Sequence, residues 1–334
     1  MAEEEKKSGT SGATRQLTAQ KALDRRHWAA RIGISFNSLK GEAFKRMYPF
    51  SSRLFSLRGR NYHYLDEGQG EPVVMVHGNP TWSFFYRTLI KGLSGNYRCL
   101  VPDHIGCGLS EKPQRYRYTL EQHIVNLETW LEETLPPAGW NGGKINLVVH
   151  DWGGPIGLGY AVRHPERIRR LIILNTWAFT SGKLPKRIQI CRQPYLGAFL
   201  VRGLNLFASL ATEMTTVRSM SYRAKKAFTM PYNSWKNRIG IYRFIQDIPI
   251  ERTAPSRRVL AKIEEIMPKV LGDFPMLIQW GMKDWCFTPA ILKQWKATFP
   301  NAEVDEYKAG HYLLEDCGDQ ILRRVKDFLE RPAP

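Results

Sequence analysis

From about Ser51 onward, short apolar runs close on turn residues and give way to stretches with helical spacing. Phe55–Leu57 and Tyr62–Leu65 read as a hairpin. Pro72–His77 (PVVMVH), Tyr97–Pro102 (YRCLVP), Lys144–His150 (KINLVVH), Leu171–Asn175 (LIILN), Met276–Trp280 (MLIQW) and Glu303–Tyr307 (EVDEY) read as further strands. Most of these runs barely alternate between apolar and polar residues, as strands do when both faces are buried, so the sheet is expected to be mostly parallel and covered by helices. Between them, Thr119–Leu135 puts Leu120, Ile124, Leu127, Leu131 and Leu135 on one helical face, and Thr119 with Gln122 reads as a capping-box start. Strands alternating with helices give an α/β doubly wound fold.

One interval breaks the rhythm. About 100 residues separate Asn175 from Met276 without a convincing strand. A loop of that length is rare, and stretches such as Tyr195–Thr212 are helical in spacing, so a helical cap is expected to be inserted before the last two strands. The expected division is a flexible tail over 1–20, a core domain over 21–178 and 263–334, and a basic cap over 179–262. Most of the apolar residues of Tyr195–Thr212 (Leu196, Phe199, Leu200, Leu204, Phe207, Leu210) are expected to pack in a core, and some to face a cavity between cap and core.

Composition narrows the class. The 334 residues include 39 aromatics, which excludes disorder as the main state. No run of about 18 apolar residues offers a membrane span. Met1–Gly12 has no apolar segment of a secretory signal. Five cysteines (Cys99, Cys107, Cys191, Cys286, Cys317) form no C-x-x-C pair, which argues against a disulfide framework or zinc knuckle and suits a reducing, cytoplasmic setting. The net charge is +18, but residues 181–262 hold 16 basic residues against 3 acidic ones and so carry 13 of that surplus. No nucleic-acid motif accompanies it, so a solvated basic surface is the expectation and nucleic acid is not an expected partner.

Reactive groups of such sheets sit beyond the carboxyl ends of the strands. Val149-His150-Asp151-Trp152-Gly153 follows one strand and opens a glycine-rich helix. This is the shape of a nucleophile elbow with Asp in the central place, and an ionised carboxylate there can attack a saturated carbon without help from a base. His77-Gly78-Asn79-Pro80-Thr81-Trp82 follows another strand. A backbone N–H of that loop and that of Trp152 suit an oxyanion hole, while the Asn79 amide and Trp152 indole are neutral donors suited to a departing halide. Asp284 and His311 follow the last two strands, completing the chain order nucleophile, acid, base, with Asp284 orienting His311. His150 is expected to be structural, and His104 and Asp103 to shape their loop, Asp103 standing as a backup carboxylate. No G-x-S-x-G, dinucleotide fingerprint or metal cluster is present, so neither cofactor nor metal is expected.

The segments HGNPTW, VVHDWGGPIG, WGMKDW and GHYLLED resemble haloalkane dehalogenases, α/β-hydrolases with a helical cap, over about Leu54–Leu329. The resemblance implies that Asp151 displaces halide from a halogenated alkane, that His311 activates the water that cleaves the resulting ester, and that Asn79 and Trp152 hold the halide ion. Family members place the acid after one of two strands. The alternative place reads Asn175-Thr176-Trp177 and offers no carboxylate, which leaves Asp284. Asn79 combined with that acid resembles the third subfamily, in which a homo-oligomer is possible.

Epoxide hydrolases share the nucleophile and base but use cap tyrosines as acid, for which Tyr195, Tyr222, Tyr232 and Tyr242 are candidates; their H-G-x-P motif generally carries an aromatic where Asn79 stands. Fluoroacetate dehalogenases usually have Arg where Trp152 stands. A cofactor-free oxygenase resembling coelenterazine luciferases, a catalytically silent receptor and a nucleic-acid-binding protein are more distant alternatives.

Overall fold

The computed structural model describes residues 41–136, 143–181, 184–251 and 253–332. The expected tail over 1–20 and the start of the expected core domain lie outside them. Eight strands form one sheet: β1 (Ser52–Leu57), β2 (Arg60–Glu67), β3 (Glu71–Val76), β4 (Tyr97–Pro102), β5 (Ile145–Asp151), β6 (Ile168–Thr176), β7 (Met276–Gly281) and β8 (Glu303–Tyr307). Their spatial order is β1-β2-β4-β3-β5-β6-β7-β8. β1 and β2 pair antiparallel, as do β2 and β4, and every later pairing is parallel. The β5 positions are all buried, as its uninterrupted apolar run requires of a strand covered on both faces.

The order reverses between β3 and β5, whose carboxyl ends lie side by side, so loops from opposite directions part there and leave a crevice. Helix Leu120–Thr134 buries Leu120, Ile124, Leu127 and Leu131 against this sheet. Thr119 caps it by accepting from the Gln122 N–H, whereas the Gln122 side chain donates to Asn126 instead of closing the reciprocal half of a capping box.

Between β6 and β7 the described chain contains helices and no strand. A division after residue 262 falls inside the continuous helix Pro255–Leu271, whose Leu260, Ile263, Met267 and Leu271 join the main core. That helix therefore packs as one piece with the layer over the sheet. Tyr195–Thr212 is not one helix. An α-helical turn, Pro194–Ala198, passes into a π-helical turn over Phe199–Gly203, then breaks at Asn205, whose φ of 55° is left-handed, before Leu206–Met214 resumes. The two halves are bent by 69°. Leu196, Phe199, Leu204 and Leu210 are exposed, which departs from the packing expected of that stretch.

Candidate active site

Asp151 ends β5 with a left-handed φ of 51°. A non-glycine residue tolerates this only where the surroundings over-determine it. Here the surroundings do so by close approach: a Cβ on Gly153 would stand 1.9 Å from the Val76 carbonyl oxygen, and one on Gly78 would stand 2.1 Å from Asp151 Oδ1. The chain can turn this sharply, and hold the β3 loop this near, only with hydrogen at both positions.

The Asp151 carboxylate is buried with its two oxygens treated differently. Oδ1 accepts the Asn79 backbone N–H at 2.6 Å, and the Trp152 backbone N–H also donates to the carboxylate. The two N–H groups expected to make an oxyanion hole thus both bind Asp151. Oδ2 stands 3.6 Å from His311 Nε2, beyond an ordinary hydrogen bond. Burial raises the Asp151 pKa; the neighbouring His311 charge and the two N–H donors offset this only in part.

His311 is oriented from its other nitrogen. Nδ1 meets Asp284 Oδ2 at 2.8 Å, and Asp284 is itself fixed by the N–H groups of Cys286 (2.7 Å) and Phe287 (3.1 Å) on Oδ1. Burial lowers the affinity of His311 for a proton, but the charge and hydrogen bond of Asp284 and the charge of Asp151 outweigh it, so its pKa is raised. His150 lies in the fold, stacked on Phe85, with Nε2 2.9 Å from the His311 carbonyl oxygen, which ties the β8 loop to β5.

Asn175, noted in the sequence for lacking a carboxylate, is part of this arrangement. Its Nδ2 donates to Asp284 Oδ2 at 3.0 Å and its Oδ1 accepts from Gly281 N at 2.7 Å. Thr176 beside it donates through Oγ1 to the Asp151 carbonyl. The only signal in the sequence was position: an amide at a strand end flanked by strands that carry the acid and the nucleophile.

Asn79 and Trp152 both line a cavity of about 580 Å³ that Asp151 and His311 share. Asn79 Nδ2 donates to the Ile241 carbonyl at 3.3 Å; a primary amide nitrogen carries two N–H groups, so one remains for a ligand. The Trp152 indole is held edge-on by Trp177 and Phe244. The rest of the wall is mostly apolar, with Leu184, Ile188, Leu206, Phe207 and Met214 from the helices after β6. None of Tyr195, Tyr222, Tyr232 or Tyr242 lines the cavity. Tyr232 and Tyr242 donate their hydroxyls to the Thr81 and Pro194 carbonyls. The acid an epoxide-opening site needs is absent from the cap-side wall among the described residues.

Asp103 and His104 follow β4 and lie outside the cavity wall. Asp103 accepts N–H groups from Ser83 and Leu109 and pairs with His63 Nδ1 at 2.8 Å, while His104 Nε2 meets the His77 carbonyl. Both brace loops. Among the described residues, no group of three or more His, Cys, Asp or Glu side chains could hold a metal ion.

Residues 71–316 match the α/β-hydrolase fold family. The cis-3-alkyl-4-alkyloxetan-2-one decarboxylase of Shewanella oneidensis is 46% identical over 290 residues, covering 85% of this chain and 89% of the relative. Haloalkane dehalogenase 2 of Mycobacterium tuberculosis is 34% identical over 285 residues, covering 84% and 95%. The crystal structure of the haloalkane dehalogenase DatA from Agrobacterium tumefaciens superposes with a TM-score of 0.74 at 25% identity, over 84% of this chain and 96% of that one. With the parallel sheet, the elbow at Asp151 and the strand-end placement of Asp284 and His311, these likenesses mean that the chain belongs to the α/β-hydrolase fold family, among relatives that include haloalkane dehalogenases.

Proposed function

We propose that this enzyme opens a cis-3-alkyl-4-alkyloxetan-2-one by nucleophilic attack of Asp151 on ring carbon C4 and releases carbon dioxide and a cis-alkene. The observation that carries the reading is the state of Asp151: Oδ1 is held by the Asn79 backbone N–H, Oδ2 stands 3.6 Å from His311 Nε2, and the residue lines a large apolar cavity. Relatives at 46% and 40% identity bearing this activity in their names support the choice of substrate.

The atoms balance without water. Oδ2 forms a bond to C4 as the C4–O1 bond breaks, leaving an alkyl ester on Asp151 and a free carboxylate at C2. The C2–C3 bond then breaks to release carbon dioxide, its electron pair becomes the C3–C4 π bond, and the C4–O bond returns its pair to Asp151. Inversion at C4 followed by anti fragmentation leaves both alkyl groups on one side. The carboxylate that departs in the first step is an anion leaving a saturated carbon, the same electrostatic problem as a departing halide. The Asn79 amide and Trp152 indole are the donors for it. The cavity wall takes both alkyl branches.

A second reading, hydrolysis of haloalkanes, is favoured by the His311–Asp284 pair, whose geometry suits activation of water. It shares the first half, displacement by Asp151, and differs in what removes the ester. One experiment separates the two. His311→Phe is incubated with 1-bromobutane and, separately, with a cis-3,4-dialkyloxetan-2-one. The proposal expects about one bromide per enzyme and a butyl adduct on Asp151 by mass, but continued release of alkene and carbon dioxide. Loss of both reactions to the same extent would show that His311 acts in every turnover and would defeat the water-free route. Wild-type protein that makes no alkene but cycles on bromobutane would establish the second reading.

A further inference from the structure

Tyr195, Leu196, Phe199 and Leu204 are 92, 52, 55 and 55% exposed, a crest of large apolar side chains within ten residues. The left-handed break at Asn205 follows at once, and beyond it Leu206 and Phe207 turn inward to the cavity wall. Ile190 and Leu210 belong to both surfaces, since each lines the cavity and each is exposed. Crest and cavity are therefore continuous. Apolar surface gathered in this way on a globular protein marks a binding face.

Charge decides what the face binds. Residues 181–212 contain no Asp or Glu; the described cations are Lys186, Arg187, Arg202 and Arg192, the last paired with Glu251. The Arg202 guanidinium lies 4.5 Å over the ring of exposed Trp235, and Trp235 in turn stands 3.7 Å from the Cβ position of Gly203, beside the crest. An apolar ridge rimmed by cations and amphipathic rings has the chemistry of an interfacial anchor: side chains enter the acyl boundary, rings sit among headgroups and cations meet phosphates. Among the described residues no single helix is long and apolar enough to cross a bilayer, and the two halves here meet at a bend of 69°. A second copy of the chain is a poorer cover, because a two-fold contact through this face opposes its basic rim to itself.

We propose that this face docks on the surface of an anionic lipid bilayer, with the crest immersed and the cavity mouth at Ile190 and Leu210 open to the lipid. A substrate with two alkyl branches then enters from the membrane without crossing water. That last step rests on the lactone reading above; the docking itself does not.

The test is co-sedimentation of the full chain, without substrate, with vesicles of phosphatidylcholine alone or with roughly a quarter phosphatidylglycerol. Binding is expected to the anionic vesicles, to fall with added salt, and to weaken about tenfold or more in a Leu196→Glu, Phe199→Glu, Leu204→Glu triple variant. Those side chains lie outside the cavity wall, so the melting temperature and turnover of the small cis-3,4-dimethyloxetan-2-one should be unchanged. Wild-type protein that stays in solution with both vesicles, or binds equally before and after substitution, overturns the proposal. So does a dimer in vesicle-free solution that the triple variant dissociates. Sedimentation reads docking alone, so its outcome is separable from that of the lactone assay.

Discussion

Two buried carboxylates stand at strand ends on either side of β3 and take opposite courses. Asp103, after β4, has N–H groups from Ser83 and Leu109 at 2.7 Å each and His63 at 2.8 Å. Asp151, ending β5, has the N–H groups of Asn79 and Trp152, but its histidine stands back at 3.6 Å. Burial pushes both pKa values up. At Asp103 the charge and hydrogen bond of His63, with the charge of His77 and the Leu109 N–H, outweigh it and the pKa is lowered, whereas at Asp151 burial prevails and the pKa is raised. The kit is nearly the same, and the position of one imidazole makes one carboxylate a brace and leaves the other short of a partner. In the proposed function, a substrate carbon is the partner that Asp151 lacks.

The comparison breaks first at Asp151. Asp151→Asn should lower either reaction by on the order of 10⁴-fold or more, since no other group supplies the nucleophile. It should also raise the melting temperature near pH 7. A carboxyl whose folded pKa lies above its unfolded one burdens the fold in full above the folded value; the burden fades as pH falls through that value and is gone below the unfolded one. Alkene or halide release, read beside a thermal melt, checks both halves. An active variant would mean that the attacking atom lies elsewhere, and a lowered melting temperature that Asp151 braces the fold as Asp103 does.

Asp103→Ala should do the reverse. It removes the acceptor of the buried Ser83 and Leu109 N–H groups, a loss of about 1–3 kcal/mol for each donor left unmade. The wild-type contribution of Asp103 has the opposite sign from that of Asp151. It is present above the ordinary carboxylate pKa and lost as pH falls through the lowered folded value. Urea unfolding at neutral pH gives the difference, and turnover per folded molecule should stay within a few-fold of wild type. If stability held and turnover collapsed, Asp103 would belong to the chemistry.

Rate against pH sharpens the contrast between the two proposed routes. Attack by Asp151 needs the carboxylate, so it should fail as pH falls through a value above the ordinary 3.8. Hydrolysis of an ester needs neutral His311, so steady bromoalkane turnover should fall about tenfold per unit below a limb placed above 6.5. Lactone turnover should show only the lower limb; coincident limbs would put His311 into both reactions.

The smallest effect is expected at Asn175. Asn175→Ala removes one donor from Asp284 Oδ2 and leaves the Cys286 and Phe287 donors in place, at a cost of about 1–3 kcal/mol. Bromobutane turnover should drop about tenfold, with its acid limb shifted. An unmoved limb would limit Asn175 to its bond with Gly281.

How much of this was legible in the sequence follows from which interactions are local. A strand buried on both faces writes an unbroken apolar run, so PVVMVH and KINLVVH appear as β3 and β5 within a residue or two. The strand-end placement of Asp151, Asp284 and His311 was legible because sharp turns after strands require glycine neighbours, and glycines are visible. The pairing of Asp103 with His63 was not legible, since it joins residues 40 positions apart that carry no shared spacing. Nor was the supporting role of Asn175, which depends on the order of β6 and β7 in the sheet. The break at Asn205 was hidden because the apolar spacing of Leu196, Leu200 and Leu204 suits a helix; it does not reveal that a π-turn and one left-handed residue redirect the chain. Exposure failed for a related reason: apolar spacing marks a face without saying what lies against it.

The turn at Asp151 is most constrained where it has no side chains. Gly78 and Gly153 are walled in by atoms 1.9–2.1 Å from where a Cβ would lie, and those against Gly78 belong to the Asp151 side chain, whose carboxylate also lines the cavity. The backbone thus works as a socket fitted to the head it carries: a methyl group added at either glycine would dismantle the mounting.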